Sequence, residues 1–412
     1  MIAYHYPPEG SSSGVQRTFT FSRYLRDCGW EPIVLTAHPR AYGVIRTEQL
    51  ADIPAGVVVR RAFALDTGRH LAVRGRYPRF AALPDRWSSW WFGAVAAGWK
   101  LVREQRPRVL WSTYPIATAH LIGWALHRIT GLPWVADFRD SMTEASYPRD
   151  ETQRNVYRWI ERRTLSECVR GVFTTPGAIR MYRDRYPDLP SHRLVLIENG
   201  FDEESFGKAL DVPSVMTKRS ARQTVLLHSG ILYPEERDPT CFYDAVARLQ
   251  HRSVVSHETL RIVLRGTGHD DFHGRLIRER GIEQVVTLLP SIAYREALKE
   301  MTEADGLLIL QGTSCNHQIP AKVYEYLRAG RPVLALTDPQ GDTAELLKKA
   351  GASFIAPLDD VNAIENALER FLLAIRAGTV NVMSRSAALA YSRRARTQEF
   401  AKLLNEITSS GK

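Results

Sequence analysis

The stretch IPAKVYEYLRAGRPVLAL, residues 319–336, holds the strongest chemical signal in this chain. Lys322 and Glu325 stand three apart, on one face of any helix that begins near Pro320. Pro320 suits the first turn of such a helix, Gly330 its left-handed C-terminal cap, and Pro332 the opening of the next strand, which brackets the helix to about ten residues. The positive end of a helix, with its free backbone N–H groups, attracts phosphate. An ammonium for a diphosphate and a carboxylate for a ribose diol are therefore both at hand. The same two residues also fit a plainer description, a surface Lys/Glu pair contributing ~0.3 kcal/mol.

Four further features could touch a ligand. The opening, YHYPPEGSSSGVQRTF, places a Ser/Gly loop, Glu9 to Gly14, between a strand and a helix, where small side chains let backbone amides approach an anion. It is not a GxGxxG dinucleotide fingerprint. Arg237, in GILYPEERDP, sits in a strand-to-helix loop and reads either as a phosphate clamp or as an exposed charge. Arg265 to Gly268, RGTG, follows a strand and reads as a plain turn or a phosphate-facing one. Arg139 and Asp140, in DFRD, lie just past a strand's carboxyl end, the edge at which open α/β sheets bind ligands; a local ion pair is the other reading.

The elements that position these residues follow from periodicity. Short β-branched apolar runs predict strands at 33–36, 109–112, 134–137 and 171–175, with helical patterns at 15–26, 90–104, 117–129 and 152–168 between them. The alternation restarts after residue 220, with strands at 224–228, 260–264, 285–288, 306–310, 332–336 and 353–355 and helices at 239–250, 270–280, 294–303, 320–329 and 361–377. Such alternation implies βαβ units and two α/β domains in tandem, each a parallel sheet covered by helices. The periodicity lapses from Asn199 to Gln223, where Gly200, Gly207, Pro213 and Ser214 mix with charges and no apolar face, so a hinge is expected there. Residues 384–407 read as one or two closing helices. Only Met1 to Tyr6 precede Pro7-Pro8, which leaves either a short first strand or a misplaced start for a position that is usually central in such sheets.

Composition narrows the function classes. With 412 residues, 44% hydrophobic and 24% charged, the chain is long enough for more than one core and is neither disordered nor collagen-like. The uncharged run from Trp87 to Trp99 has thirteen residues, short of the ~20 that a membrane-spanning helix needs, and Pro7, Pro8 and Glu9 stand where a signal peptide would be apolar. Cys28, Cys168, Cys241 and Cys315 are far apart with no CxxC pair, which fits structural thiols in a cytoplasmic protein. The net charge of +10 favours an anionic partner. Nucleic acid is not expected, because no zinc-finger spacing or RNA-binding aromatic motif is present and the basic residues form no contiguous run. The stretch Arg60 to Arg108 holds eleven Lys/Arg against three Asp/Glu, interleaved with Tyr77, Phe80, Trp87, Trp90, Trp91, Phe92 and Trp99. It reads either as core aromatics under a solvated surface or as a face that docks on anionic lipid.

With these residues in view, nearly the whole chain resembles the retaining glycosyltransferases of family 4. The resemblance rests on Pro7-Pro8-Glu9-Gly10 with Gly14-Val15-Gln16-Arg17 and Gly29-Trp30, on Asn199-Gly200-Phe201-Asp202 with Phe206, and on the block from Pro320 to Leu336. It implies the GT-B fold, two Rossmann-like domains facing each other across a cleft: 1–205 for the acceptor, 206–383 for the nucleotide sugar, and 384–412 packing back toward the first. It implies a nucleotide-sugar site built from Gly14, Gly230, Arg237, Gly266, His317, Pro320, Ala321, Lys322 and Glu325, in which Glu325 matches the glutamate that binds the ribose hydroxyls, with Arg139, Asp140 and Lys322 at the reacting centre.

The sequence departs from the family pattern at three places. The first of two glutamates eight positions apart falls at His317, the Arg expected after Gly230 is Ile231 while Arg237 aligns with the following Lys within a residue, and Arg139 replaces a His, with Asp140 retained. The implied activity is transfer of a sugar from a nucleotide diphosphate to an acceptor hydroxyl with retained configuration. No DxD triplet is present, so no metal cofactor is expected and cationic side chains carry the leaving charge. The implied partners are a nucleotide-sugar donor, a saccharide or lipid-linked saccharide acceptor and an anionic membrane surface, at the cytoplasmic face. A nucleotide-sugar epimerase on the same architecture is the alternative.

Overall fold

The computed structural model describes residues 1–10, 14–144, 147–216 and 223–409. It divides into two units, Met1–Asn199 with Arg393–Lys412, and Gly200–Ser392. The expected boundary at 205 therefore moves to 199, and the closing segment expected as one piece from 384 divides at 392. Of the expected hinge, residues 217–222 lie outside the described residues, as do Ser11, Ser12 and Ser13 of the opening loop.

In the first unit the strands are β1 (Ile33–Ala37), β2 (Val58–Ala62), β3 (Leu110–Thr113), β4 (Trp134–Phe138), β5 (Arg170–Phe173) and β6 (Leu194–Leu196). β3 to β6 pair in sequence order and β1 pairs with β2, all parallel. Ile2 joins the two sets, bridging Leu35 on one side and Ser112 on the other in parallel. The short opening segment is thus the central element, and His5 and Tyr6 follow it at the carboxyl edge of the sheet. Helices Trp90–Gln105, Ala117–Thr130 and Glu151–Glu167 cover the sheet. Asp85 fixes the start of the second of these, accepting the Thr118 backbone N–H at 2.8 Å. Helix Arg393–Ser409 packs on helix Val15–Tyr24, with the Phe400 ring stacked on Phe21 at 4.8 Å.

One buried ion pair ties this unit together. Arg17 donates to both carboxylate oxygens of Asp137, at 3.0 and 2.9 Å, and its remaining N–H groups reach the carbonyls of Ile197 and Glu198. Asp137 also accepts the Thr113 hydroxyl at 2.8 Å. Helix 15–24, β3, β4 and the chain leaving β6 are therefore pinned at one point.

The second unit has β7 (Thr224–Ser229), β8 (Leu260–Arg265), β9 (Val286–Leu289), β10 (Gly306–Leu310), β11 (Val333–Leu336) and β12 (Phe354–Ala356), all parallel, in the order β12-β11-β10-β7-β8-β9. Strand residues alternate between the two faces. Leu226, Leu308 and Leu334 pack with Phe242, Leu249 and Phe371 of helices Thr240–His251 and Val361–Ala377. Val225, Leu227, Leu307 and Ile309 pack on the opposite side with Leu298, Val323 and Leu347.

Several elements were not legible in advance. β2 and β6 lack a continuous apolar run, being half-buried or only three residues long. Helix Glu203–Ala209 stands inside the expected hinge, capped by Asp202 accepting from the Ser205 N–H, with Phe206 buried and Glu203 paired to Arg328. A seven-residue helix needs only two buried side chains, too few for a visible period. Pro320 is the N-cap residue, just outside the helix rather than in its first turn, because its backbone is extended at ψ 134°. All four cysteines are free thiols.

Replacing Arg17 with Met leaves Asp137 charged and fully enclosed, so the transition of the first unit in denaturant melts falls by about 3–5 kcal/mol. An Arg17→Met/Asp137→Leu double variant recovers most of that loss.

Candidate functional site

In the second unit the sheet order reverses between β7 and β10, whose following chains leave in opposite directions. Open parallel sheets form a ligand crevice at that point, outside the carboxyl ends of the strands. Four residues expected from sequence gather there: Gly230 just past β7, Arg237 in the same loop, and Lys322 and Glu325 on helix Ala321–Ala329. Pro320 caps that helix and Ala321 begins it, so the helix start lies at the same edge, with the Val323 N–H already donating to the Pro320 carbonyl at 2.9 Å.

The glycine turn and the lysine are matched. Gly230 adopts φ 108°, and a Cβ there would lie 3.1 Å from Lys322 Nζ. The Lys322 ammonium contacts His228 Nε2 at 3.0 Å. Burial and the neighbouring Arg237 draw the lysine down to about 7, with Glu325 opposing. Burial first, then Lys322, hold the His228 imidazole well below its usual value, so the ring stays neutral. Its Nδ1 lies 2.9 Å from the Leu308 carbonyl, which can only accept, so Nδ1 carries the proton and Nε2 accepts from the ammonium.

Neighbouring groups hold this frame. The Tyr326 hydroxyl accepts the Ser229 N–H at 3.0 Å and fixes the end of β7. Glu325 receives the Tyr294 hydroxyl at 2.7 Å. Arg237 is half-buried and donates to the Ile231 carbonyl, while its Nε is buried with no hydrogen-bond partner among the described residues. Gly312, after β10, donates its N–H to Glu236 at 2.8 Å and ties the loop carrying Arg237 to the loop carrying His317; a Cβ at Gly312 would strike the same carbonyl at 2.7 Å.

Two other expectations resolve differently. Gly266 and Gly268 take left-handed φ values in a turn after β8, with Gly266 close against Ser291. Arg265 is turned away into a buried ion pair with Glu300 at 2.5 Å and a 3.1 Å bond to the Pro290 carbonyl, so it is committed to structure. His317 is half-buried in the turn between Thr313–Cys315 and the helix.

Gly14, Arg139 and Asp140 belong to the first unit. Arg139 donates to the Gly14 carbonyl at 2.6 Å, which joins the start of helix 15–24 to the end of β4. Burial lowers Arg139 to about 10, against the pull of Asp137, so it remains a cation at neutral pH. His5, at the end of the opening segment, is lowered to about 3 by burial and by Arg139 and stays neutral. Asp140 is exposed at the same edge. Arg139 and Asp140 stand in the first unit and Lys322 in the second, as the expected domain division implied.

Sequence reading missed His228, Tyr294, Tyr326 and Gly312. His228 alone left a usable signal, a lone imidazole in the apolar strand TVLLHS two residues before the glycine. The Tyr294 contact joins helices far apart in sequence and has no local signature.

Glu325→Ala is expected to leave the fold intact and to weaken nucleotide-sugar binding roughly 10- to 150-fold, the worth of a ~1.5–3 kcal/mol hydrogen bond to a charged group. Calorimetry on the folded variant checks this, and unchanged affinity would remove Glu325 from the site.

Residues 14–200 match the model of the glycosyl transferase 4-like domain, and residues 223–373 match that of the glycosyl transferases group 1. A comparison with curated proteins finds no match. Among solved structures, sucrose-phosphate synthase from Thermosynechococcus elongatus shares 15% identity over 99% of both chains at a TM-score of 0.70. HepE from Anabaena, in complex with UDP-glucose, shares 15% over 98% of this chain and 99% of that one at 0.64. The lipopolysaccharide outer core galactosyltransferase WaaB shares 12% over 98% of both at 0.61. At such identities the likeness speaks to the fold, and the two matched domains speak to the family: the chain belongs to the family 4, group 1 glycosyltransferases, nucleotide-sugar enzymes of GT-B fold.

Proposed function

We propose that the chain moves a sugar from a nucleotide diphosphate sugar to an acceptor hydroxyl with retained anomeric configuration, in the assembly of a surface polysaccharide or glycolipid. The constellation of Lys322, Arg237, Gly230 and the first turn of helix 321–329 carries this reading. The barrier in such a transfer is departure of the diphosphate as oxocarbenium character grows. Lys322, Arg237 and the helix amides stabilise the leaving charge, Gly230 lets the phosphates approach the backbone, and Glu325 accepts from the ribose hydroxyls. Arg139 and Asp140 serve the reacting sugar and acceptor from the first unit. No side-chain nucleophile is required.

The donor nucleotide is proposed to be UDP, on the strength of the UDP-glucose bound by HepE, and the acceptor a saccharide or lipid-linked saccharide, on that of the activity in WaaB's name. Screening UDP-, GDP-, TDP- and ADP-sugars for binding tests the donor. An epimerised sugar formed from donor alone would favour the epimerase instead.

Metal-independent transfer is expected, since the site supplies cations of its own. Turnover should survive EDTA; loss of activity restored by Mg²⁺ or Mn²⁺ would overturn the cation-only mechanism.

No helix among the described residues is long and apolar enough to cross a membrane. The proposed workplace is the cytoplasmic membrane face, reached through the first unit. Among the described residues, half of the twenty exposed large hydrophobic ones fall between Val44 and Trp99, including Val73 at 75%, Phe80 at 78% and Phe92 at 71% exposure. Trp90, by contrast, is buried core. Arg74, Arg76 and Arg79 alternate with Val73, Tyr77 and Phe80, a mixture suited to anionic headgroups, where each basic residue contributes ~1 kcal/mol. The chain should float with phosphatidylglycerol vesicles at low salt, less so at high salt. Equal recovery after changing Arg74, Arg76 and Arg79 to Glu would return the stretch to ordinary surface.

A further inference from the structure

We propose that His228 is a positioning residue: its neutral, Nδ1-protonated ring holds the Lys322 ammonium over the Gly230 turn, where the donor diphosphate would lie. The inference rests on the function proposed above and deepens it, because it assigns to this chain a proton-coupled way of binding that donor.

The geometry carries the argument. His228 is 1% exposed and is the penultimate residue of β7, beside β10. Its Nδ1 lies against the Leu308 carbonyl and its Nε2 against Lys322, with the Gly230 backbone also beside the ring. The Leu308 carbonyl dictates the tautomer, and the tautomer dictates that Nε2 is an acceptor. The Nε2 lone pair therefore holds Lys322 Nζ beside the Gly230 turn, 3.1 Å from where a Cβ would stand.

The charges around the pair have one sign in excess. Arg237 faces both His228 and Lys322 from the loop after β7. From its own helix Lys322 is faced by Glu325, which also takes the Tyr294 hydroxyl. Tyr326, behind the end of β7, is pushed up by burial and remains neutral. Two cations, one carboxylate and a neutral imidazole leave the ammonium incompletely compensated. A neutral acceptor orients a cation without cancelling it, whereas a carboxylate in the place of His228 would satisfy the lysine and repel phosphate.

The consequence is linkage between protons and donor. With Lys322 near 7, the free protein at pH 8 holds this amine mostly as –NH₂. A bound diphosphate brings negative charge beside it and raises it, so the amine takes one proton from solvent as the donor binds; no bond to the donor forms or breaks. Affinity then falls with rising pH, close to tenfold per unit above about pH 8, by the reciprocity of binding equilibria. His228 itself is neutral throughout this range and contributes no proton.

Calorimetric titration of UDP-glucose, with GDP-, TDP- and ADP-glucose in turn, in buffers of different ionisation enthalpy reads the proton directly, since these diphosphate diesters have no proton of their own to lose near neutrality. Wild type should take up close to one proton per nucleotide sugar at pH 8 and about half at pH 7. His228→Asn keeps a donor for Leu308 but cannot reach Lys322; it should stay folded, lose about tenfold in affinity and lose the uptake at pH 8. His228→Gln places an amide oxygen near the former Nε2 and should restore both to within about threefold. Binding by wild type without proton exchange, or an Asn variant with wild-type affinity and uptake, would overturn the assignment while leaving the proposed function standing. Failure of all four nucleotide sugars to bind wild type would overturn both.

Discussion

The sheet of the second unit is wholly parallel, and that constraint shapes everything the chain can do with a ligand. Parallel pairing sends every strand-to-helix loop out of the same edge, and the reversal of strand order between β7 and β10 separates the two central loops. Backbone and side-chain polar groups at that gap have lost their sheet partners and must find others. His228 resolves this on the protein's side by bonding to Leu308, and in doing so leaves a lone pair pointing outward for Lys322. The demand for paired buried polar groups and the placement of the proposed phosphate cation are the same event.

Basic residues at this edge divide by what neutralises them. Arg265 ends β8 in a bidentate pair with Glu300 and is spent on holding helix Tyr294–Glu303. Lys322 and Arg237 rest instead on a neutral ring and a carbonyl. An excess of +10 over the chain says little about binding, whereas two cations lacking dedicated carboxylates at a helix start say a good deal.

The first unit repeats the logic with a different anchor. Arg17 and Asp137 compensate one another fully inside the protein, and the helix they secure presents its Gly14 carbonyl to Arg139. Arg139 is thereby aimed by an acceptor without charge, as Lys322 is, and keeps its cationic character. Each unit thus presents a basic side chain oriented by an uncharged acceptor at the carboxyl edge of its sheet.

What sequence alone determined was local. Apolar runs fixed most strands to within a residue or two, because a strand buried on both faces must be apolar throughout, and Gly330 closed its helix because an L side chain is strained at φ 65°. Lys322, Glu325, Arg237 and Gly230 were legible as candidates through their places at loop and helix starts. Strand order, and with it the crevice, was not legible, since pairing joins residues such as Leu226 and Gly306 across eighty positions. Nor was the choice between the two readings of each charged residue. Arg265 and Lys322 look alike in sequence, and only tertiary packing decided that the first would meet Glu300 and the second His228, because a charge's partner is set by which side chains the fold brings within a few ångströms of it.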